Sequence, residues 1–383
     1  MSSPGRLVNA VTYSDQVVTV DISADGRWVV AGAFGEAGGA LGVSNAETGA
    51  RRWGVADEWR VQRVAFSPDG RWIAVSDFDG QTQMRVRVLS AETGIQRCTL
   101  SSDFSFARAD GFSPDGQWVA ATASINDPSS QFGISRVTLV FDAQTGSVRW
   151  QTVGVAEVVV FSPDGQSLAT LGPLGWPSPM LDADTGVERY RLSNADFHLA
   201  FSPDSRRLAV SEHEQPTPQF PAGRSAVRVL DATTGVERSR FQHNVWRNVR
   251  SVAFSPDGQL VAISTDDTGW SRGGEVTVFD AESGAVRSRL ATGHFAHEVA
   301  FCPDGRWVAL GTNEPRGVIT FGPPPPYFGW VWVFEAETGV VRWSASGDGS
   351  LRDLKFSADG RWLVTGSRVQ AGGGIARVFD SGA

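Results

Sequence analysis

Short apolar runs separated by turns dominate the chain. Val61-Gln62-Arg63-Val64-Ala65-Phe66 leads into a turn and then into Trp72-Ile73-Ala74-Val75. Val86-Arg87-Val88-Leu89 leads into a second turn, and a shorter segment such as Ser147-Val148-Arg149-Trp150 follows the equivalent turn further along. These runs are enriched in β-branched and aromatic residues, which pack well on a pleated surface, so the pattern predicts strands.

Two turn markers alternate along the sequence. The first is Ser-Pro-Asp-Gly or a close variant, with its acid at Asp25, Asp69, Asp115, Asp164, Asp204, Asp257, Asp304 and Asp359. The second has the type Ala-Glu-Thr-Gly and ends at Gly49, Gly94, Gly146, Gly186, Gly235, Gly284 and Gly339, with a shortened Asp380-Ser381-Gly382 in the last unit. Proline presets φ, Asp or Asn bonds the backbone two residues on, and glycine accepts positive φ, so each marker closes a hairpin. Four strands in each of eight repeats predict an all-β, eight-bladed β-propeller of four-stranded antiparallel blades, one domain spanning residues 1–383.

Position within the repeat predicts the core. Three residues before the first-turn acid stand Ile22, Phe66, Phe112, Phe161, Phe201, Phe254, Phe301 and Phe356. Four residues after it stand Val29, Ile73, Val119, Leu168, Leu208, Val261, Val308 and Leu363. Both phases are read as fillers of the space between neighbouring blades. The last repeat stops after its third strand, so Arg6 to Val11 is expected to pair beside Ile375 to Phe379 and remove the open edge.

The Phe66-Ser67-Pro68-Asp69-Gly70-Arg71-Trp72 run, with Val140-Phe141-Asp142-Ala143-Gln144-Thr145-Gly146, resembles the WD-repeat propeller superfamily in its bacterial variety. The resemblance covers the whole chain and implies a propeller that hosts binding or catalysis according to its site. The Trp-Asp pair that names the family is replaced by Phe141-Asp142 and Phe279-Asp280, and Gly-His appears as Gly293-His294. Asp142-Ala143-Gln144-Thr145-Gly146 with Trp150 is also similar to the repeat of eight-bladed quinoprotein dehydrogenases, which suggests a propeller oxidoreductase, hydrolase or lyase with a central site as the alternative. The vicinal cysteines, calcium site and long insertions of those dehydrogenases are not recognisable.

Charge changes the picture by exclusion. The formal net charge of −8 argues against a nucleic-acid partner, which demands clustered cations. No apolar run is long enough to span a bilayer and no secretory leader is evident, so a cytoplasmic protein without a membrane partner is expected. Cys98 and Cys302 occupy positions that other repeats fill with Trp, Tyr or Ser, and read as packing residues. His294 and His297 lack an identifiable third ligand, so no metal is assigned. No nucleophile elbow or phosphate-cradling loop occurs, and no catalytic residue or cofactor is assigned.

Arg52, Arg97, Arg149, Arg189, Arg238, Arg287 and Arg342 follow the second turn at one fixed distance. They read as charges blunting the outermost strand rather than as an anion-binding ring. Trp28, Trp72, Trp118, Trp307 and Trp362 share one phase and Trp53, Trp150 and Trp343 another, so these are structural. Trp332 fits a third strand, whereas Trp59, Trp176, Trp246, Trp270 and Trp330 are placed in connections.

Binding is expected where the repeats differ most. The connections 125–135, 172–180, 212–226, 266–275 and 313–329 vary in every repeat and fall on one face. Loops on a rigid scaffold are the usual seat of recognition. Trp176, Phe220, Arg224, Trp270, Arg272, Arg316, Phe321, Tyr327, Phe328 and Trp330 are therefore the predicted partner-binding residues, beside stiff proline segments such as Pro323 to Pro326. The expected function is a non-catalytic scaffold for a protein or peptide partner.

Overall fold

The computed structural model describes residues 4–35, 38–57, 59–79, 83–100, 105–129, 134–154, 156–172, 178–192, 195–214, 224–242, 247–267, 273–313, 328–369 and 373–382. Eight four-stranded sheets form a β-propeller, and no helix occurs among the described residues. Seven sheets take their strands consecutively. The eighth joins Ser350–Phe356, Trp362–Arg368 and Gly374–Asp380 to the N-terminal strand Leu7–Tyr13. Leu7 pairs with Phe379 and Thr12 with Ile375, so the N-terminal strand covers the edge of the last blade as expected. The blades group into two compact units, Val18–Phe197 and a second made of Met1–Val17 with His198–Ala383.

The first turn is locked by its serine and aspartate. In blade two, Ser67 Oγ donates to Asp69 Oδ1 and accepts from Trp72 N at 3.0 Å, while Arg71 N donates to Asp69 Oδ1 at 3.0 Å. Gly70 closes the turn at φ +68, a conformation costly for residues with a Cβ. Ser23, Ser113, Ser202, Ser255 and Ser357 repeat the hydroxyl-to-carboxylate bond in their own blades. Two blades depart from this pattern. Ser205 sits at φ +60 where the other first turns have glycine. Cys302 replaces the serine of blade seven, buried with its Sγ 4.0 Å from Gly360 O.

Within each unit, the apolar clusters straddle consecutive blades rather than filling single sheets. One joins Ala209, Val227 and Phe241 of blade five to Val249, Phe254 and Phe279 of blade six; another joins Leu260 and Val278 of blade six to Val299 and Phe334 of blade seven. Blades one and two, two and three, three and four, and seven and eight are joined in the same way. Hydrogen bonds from six outermost strands to the second turn of the next blade reinforce the packing. Trp53 Nε1 donates to Ala91 O at 2.9 Å, Trp150 Nε1 to Ala183 O at 2.9 Å and Trp343 Nε1 to Ser381 O at 3.0 Å. Cys98, Ser239 and Ser288 occupy the same position and reach Ala143, Ala281 and Ala336.

The predicted core phases differ in depth. Val29, Ile73, Val119, Leu168, Leu208, Val261, Val308 and Leu363 are all buried. Of the aromatic phase only Phe66, Phe254 and Phe301 are buried, whereas Phe112, Phe161, Phe201 and Phe356 are half-buried. The deepest rings are Phe141, Phe279 and Phe334, at the end of the third strand, where both sheet faces are covered.

The seven arginines of the outer strand are occupied in two main ways, and Arg52 and Arg149 also reach Glu92 and Asp184 of the next blade. Where the residue after the first turn is Trp, the guanidinium lies over its ring: Arg52 over Trp28 at 4.3 Å, Arg97 over Trp72 at 3.8 Å, Arg149 over Trp118 at 4.2 Å and Arg342 over Trp307 at 4.3 Å. Where it is Ser167, Arg207 or Leu260, the arginine turns to the second-turn acid instead. Arg189 meets Asp182 at 2.8 Å, Arg287 meets Asp280 at 2.7 Å, and Arg238 pairs with Asp231. Those hydrogen bonds hold the carboxyls of Asp182 and Asp231 down at about 2.

Two outcomes test this packing. Phe279→Ala should cost about 3–5 kcal/mol in denaturant unfolding, and Phe254→Ala, at the rim of the same cluster, measurably less. Equal losses would contradict the assigned depths. Cys302→Ser should raise stability by about 1 kcal/mol, because a hydroxyl restores both the bond to Asp304 and the acceptor for Trp307 N. A lower melting temperature in calorimetry would show that the thiol's apolar packing outweighs the turn bond.

Candidate functional site

The variable connection of blade seven springs from a tightly fastened base. Trp307–Asn313 pairs with Phe328–Glu335, with Asn313 opposite Gly329 and Thr312 opposite Trp330. Asn313 is buried, and its amide grips the inner strand of blade eight from both sides: Nδ2 donates to Leu351 O at 3.1 Å and Oδ1 accepts from Leu351 N at 2.6 Å. A Cβ on Gly329 would lie 2.8 Å from Gly349 O, so only glycine lets the two backbones approach. Trp332 Nε1 donates to Thr312 Oγ1 at 3.2 Å and pins the third strand to the second.

An aromatic stack rests on this base. Trp330 and Trp332, two apart and so on one face of the strand, stack with centroids 5.7 Å apart. His294, from the connection between blades six and seven, stacks on Trp330 at 5.7 Å and tilts against Trp332 at 6.1 Å. The backbone holds it there, since Gly274 N donates to His294 O at 2.7 Å. At the same end of blade seven, Phe295 opposite Asn313 and Phe328 beside Gly329 are exposed at 38% and 37%. Two exposed phenylalanines beside a fixed stack give an apolar surface whose side chains lose little freedom on contact.

The predicted partner-binding residues divide as follows. Trp176, Phe220, Trp270, Arg272, Arg316, Phe321 and Tyr327 lie outside the described residues, as does Trp246. Phe328 and Trp330, expected in a connection and at its base, belong to the third strand, because Trp330 pairs with Thr312 and Phe328 with Asp348. Arg224 opens the strand Arg224–Asp231 opposite Glu214 rather than lying in a loop. Trp59 lies beneath Arg85, whose guanidinium is 3.9 Å from the ring centroid. His294 and Phe295 were missed as surface residues; the Gly293-His294 pair was the available signal.

Burial pushes the Cys98 thiol up and that of Cys302 up to about 12, so neither supplies a thiolate near neutral pH. No cluster of three potential metal ligands occurs among the described residues. No described helix is long and apolar enough to cross a membrane.

Comparison with known proteins agrees with this geometry. The family description "WD domain, G-beta repeat" matches residues 56–84, 236–270 and 340–380. Among solved structures, the Dos1 propeller superposes with a TM-score of 0.67 at 14% identity, covering 98% of this chain and 95% of that one. BamB from Moraxella catarrhalis gives 0.63 at 16% identity over 98% and 97% of the two chains. Saccharomyces cerevisiae Sqt1 gives 0.68 at 13% identity over 98% and 99%. No curated protein matches the sequence. The chain is thus an eight-bladed β-propeller that carries recognisable WD40 repeats in three stretches.

Proposed function

We propose that the protein is a non-catalytic scaffold that holds a protein partner on the face bearing its variable connections, with blade seven at the centre. The fold is one typical of protein-interaction scaffolds. The observation that carries the reading is the His294–Trp330–Trp332 stack, fastened through Asn313 and Gly329, with Phe295 and Phe328 exposed beside it. Rigid aromatic anchors of this kind concentrate binding energy in a few residues. By sequence, Phe321-Gly322-Pro323-Pro324-Pro325-Pro326-Tyr327-Phe328 adds aromatics on a stiff segment, because consecutive prolines favour an extended polyproline conformation. Phe220, Trp270 and Arg272 belong by sequence to the connections of blades five and six and would extend the surface.

The reading is tested by replacing Phe295 and Phe328 with Ser together, and Tyr327 and Phe328 in a second variant. Each should leave the melting temperature close to wild type and weaken partner capture from native lysate by about 2 kcal/mol or more per anchor. A variant that melts earlier yet keeps its partner would make these aromatics part of the fold instead.

Asn313→Ala should behave in the opposite way. It strands the buried Leu351 N–H and C=O and should cost about 1–3 kcal/mol by chemical denaturation. An unchanged midpoint would mean that the base of blade seven is held by other contacts.

A further inference from the structure

The inner strands of blades two and three, Arg60–Phe66 and Ser105–Phe112, differ in where their pairing shifts. In blades two, six and eight the skipped residue stands four before the strand's phenylalanine, at Gln62, Arg250 and Arg352. Blade three has a shift before Arg108 and adds a second at Asp110, between Ala109 opposite Ala121 and Gly111 opposite Ala120. The extra residue sets Arg108 opposite Thr122, the rung that Arg63 holds opposite Ser76 in blade two, since Ser76 and Thr122 each stand seven residues after their first-turn acid. Bulges re-aim side chains in this way and are common beside functional sites.

Asp110 is an acid where other blades are apolar. Two residues before their phenylalanines stand Val64, Val159, Val252, Val299 and Leu354, all buried. The Asp110 side chain is fully enclosed as well, and neither of its oxygens accepts a hydrogen bond among the described residues. An enclosed carboxylate is costly unless cations answer it. Arg63 Nη1 lies 3.5 Å and Arg108 Nη2 3.2 Å from the same oxygen, Oδ1, so the two guanidinium groups are held within the span of one small ligand. Burial pushes the Asp110 carboxyl up, and the two arginines draw it back. Neither guanidinium makes a hydrogen bond or a further ion pair among the described residues, and the arginine side chains are 41% and 35% exposed. Two cations therefore share one carboxylate. Of the other described acids along the inner strands of this unit, Asp21 accepts from Ile22 N at 2.9 Å and Phe66 N at 2.7 Å, and Glu157, just before Val158–Phe161, joins no ion pair.

We propose that Arg63 and Arg108, held side by side by Asp110, form a binding site for a carboxylate group, carried by a small organic acid or by a peptide. Asp110 fixes both guanidinium groups from the buried side and leaves their remaining N–H donors to the solvent side. A guanidinium fork matches the two oxygens of a carboxylate, and a pair of forks on equivalent rungs can close on one such group from two directions. With Asp110 ionised, one positive charge is left unneutralised, which a single carboxylate answers. The site shares no residue with the aromatic surface, so either reading can fail without the other.

Acetate is the probe, followed through the arginine Nε–Hε signals in NMR, with those of Arg63 and Arg108 identified by their loss in Arg63→Gln and Arg108→Gln. At about pH 8, which keeps Asp110 ionised, both signals should move along one saturation curve. Each substitution should weaken the binding seen at the remaining arginine about tenfold, with the melting temperature confirming the fold. Should a Gln variant melt early, Arg108→Lys keeps the charge beside Asp110 and removes the fork, and the same loss is expected. Arg71→Gln, at the exposed first turn of blade two, should leave binding unchanged. Chloride at equal ionic strength should not reproduce the shifts, and sulfate should bind no more tightly than acetate, because its second charge exceeds what the site leaves unneutralised. A short peptide with a free C-terminus, compared with its C-terminal amide, then tells a carboxylate carried on a chain from a free acid. Acetate binding that is absent, that keeps its strength in the variants of Arg63 and Arg108, that chloride matches or sulfate exceeds, or an amide that binds as tightly as the free peptide, would overturn the proposal.

Discussion

A four-stranded sheet with apolar side chains on both faces is stable only when both faces are covered, and this constraint organises each unit of the molecule. The described apolar clusters are shared between blades: Phe279 of blade six packs with Ala209, Val227 and Val229 of blade five, while Leu260 and Val278 on the other side of the sheet pack with Val299 and Phe334 of blade seven. Repeats of this kind are stabilised chiefly by nearest-neighbour interfaces, and an unpaired last strand would leave an edge open to aggregation. The antiparallel partnership of Leu7–Tyr13 with Gly374–Asp380 answers that need with the part of the chain farthest away in sequence.

The turns convert this packing into a repeat. The buried serine of the first marker bonds both the aspartate side chain and the backbone beyond the turn, so one hydroxyl fixes the hairpin geometry. Within each unit, the outer-strand position held by Trp53, Trp150 and Trp343 ties its blade to the second turn of the next, and smaller residues at that position reach the equivalent carbonyl in other blades. The arginine one step earlier shows the same tolerance. It stacks on a tryptophan when one is present, with Arg52 and Arg149 also reaching Glu92 and Asp184, and pairs with the second-turn aspartate of its own blade when one is not.

A frame fixed at so many points frees other positions from structural duty. On blade seven the fastening by Asn313, Gly329 and Trp332 leaves Phe295 and Phe328 exposed without loosening the strands. On the inner strands, register shifts leave Arg250, His297 and Arg352 outside the pairing ladder. Both features are compatible with function because the stability they forgo is supplied by the repeated interfaces.

The sequence by itself determined the number of repeats, the two hairpin turns, the pairing of the N-terminal strand and the buried phase from Val29 to Leu363, because each follows from local chemistry repeated at a fixed interval. Local chemistry does not report depth, and the aromatic phase ending in Phe356 proved only half-buried in several blades while Phe141, Phe279 and Phe334 lie deepest. Nor does it report where pairing stops: Phe328 and Trp330 read as loop residues because prolines precede them, yet the ladder opposite Asn313 holds them in a strand. Only the tertiary structure decided that His294 stacks on Trp330 while His297 falls at a register shift of the following strand. A spacing of three residues suggests one shared site, but His294 ends the connection before the strand and His297 sits in a bulge within it, so backbone geometry sends the two imidazoles to different neighbours.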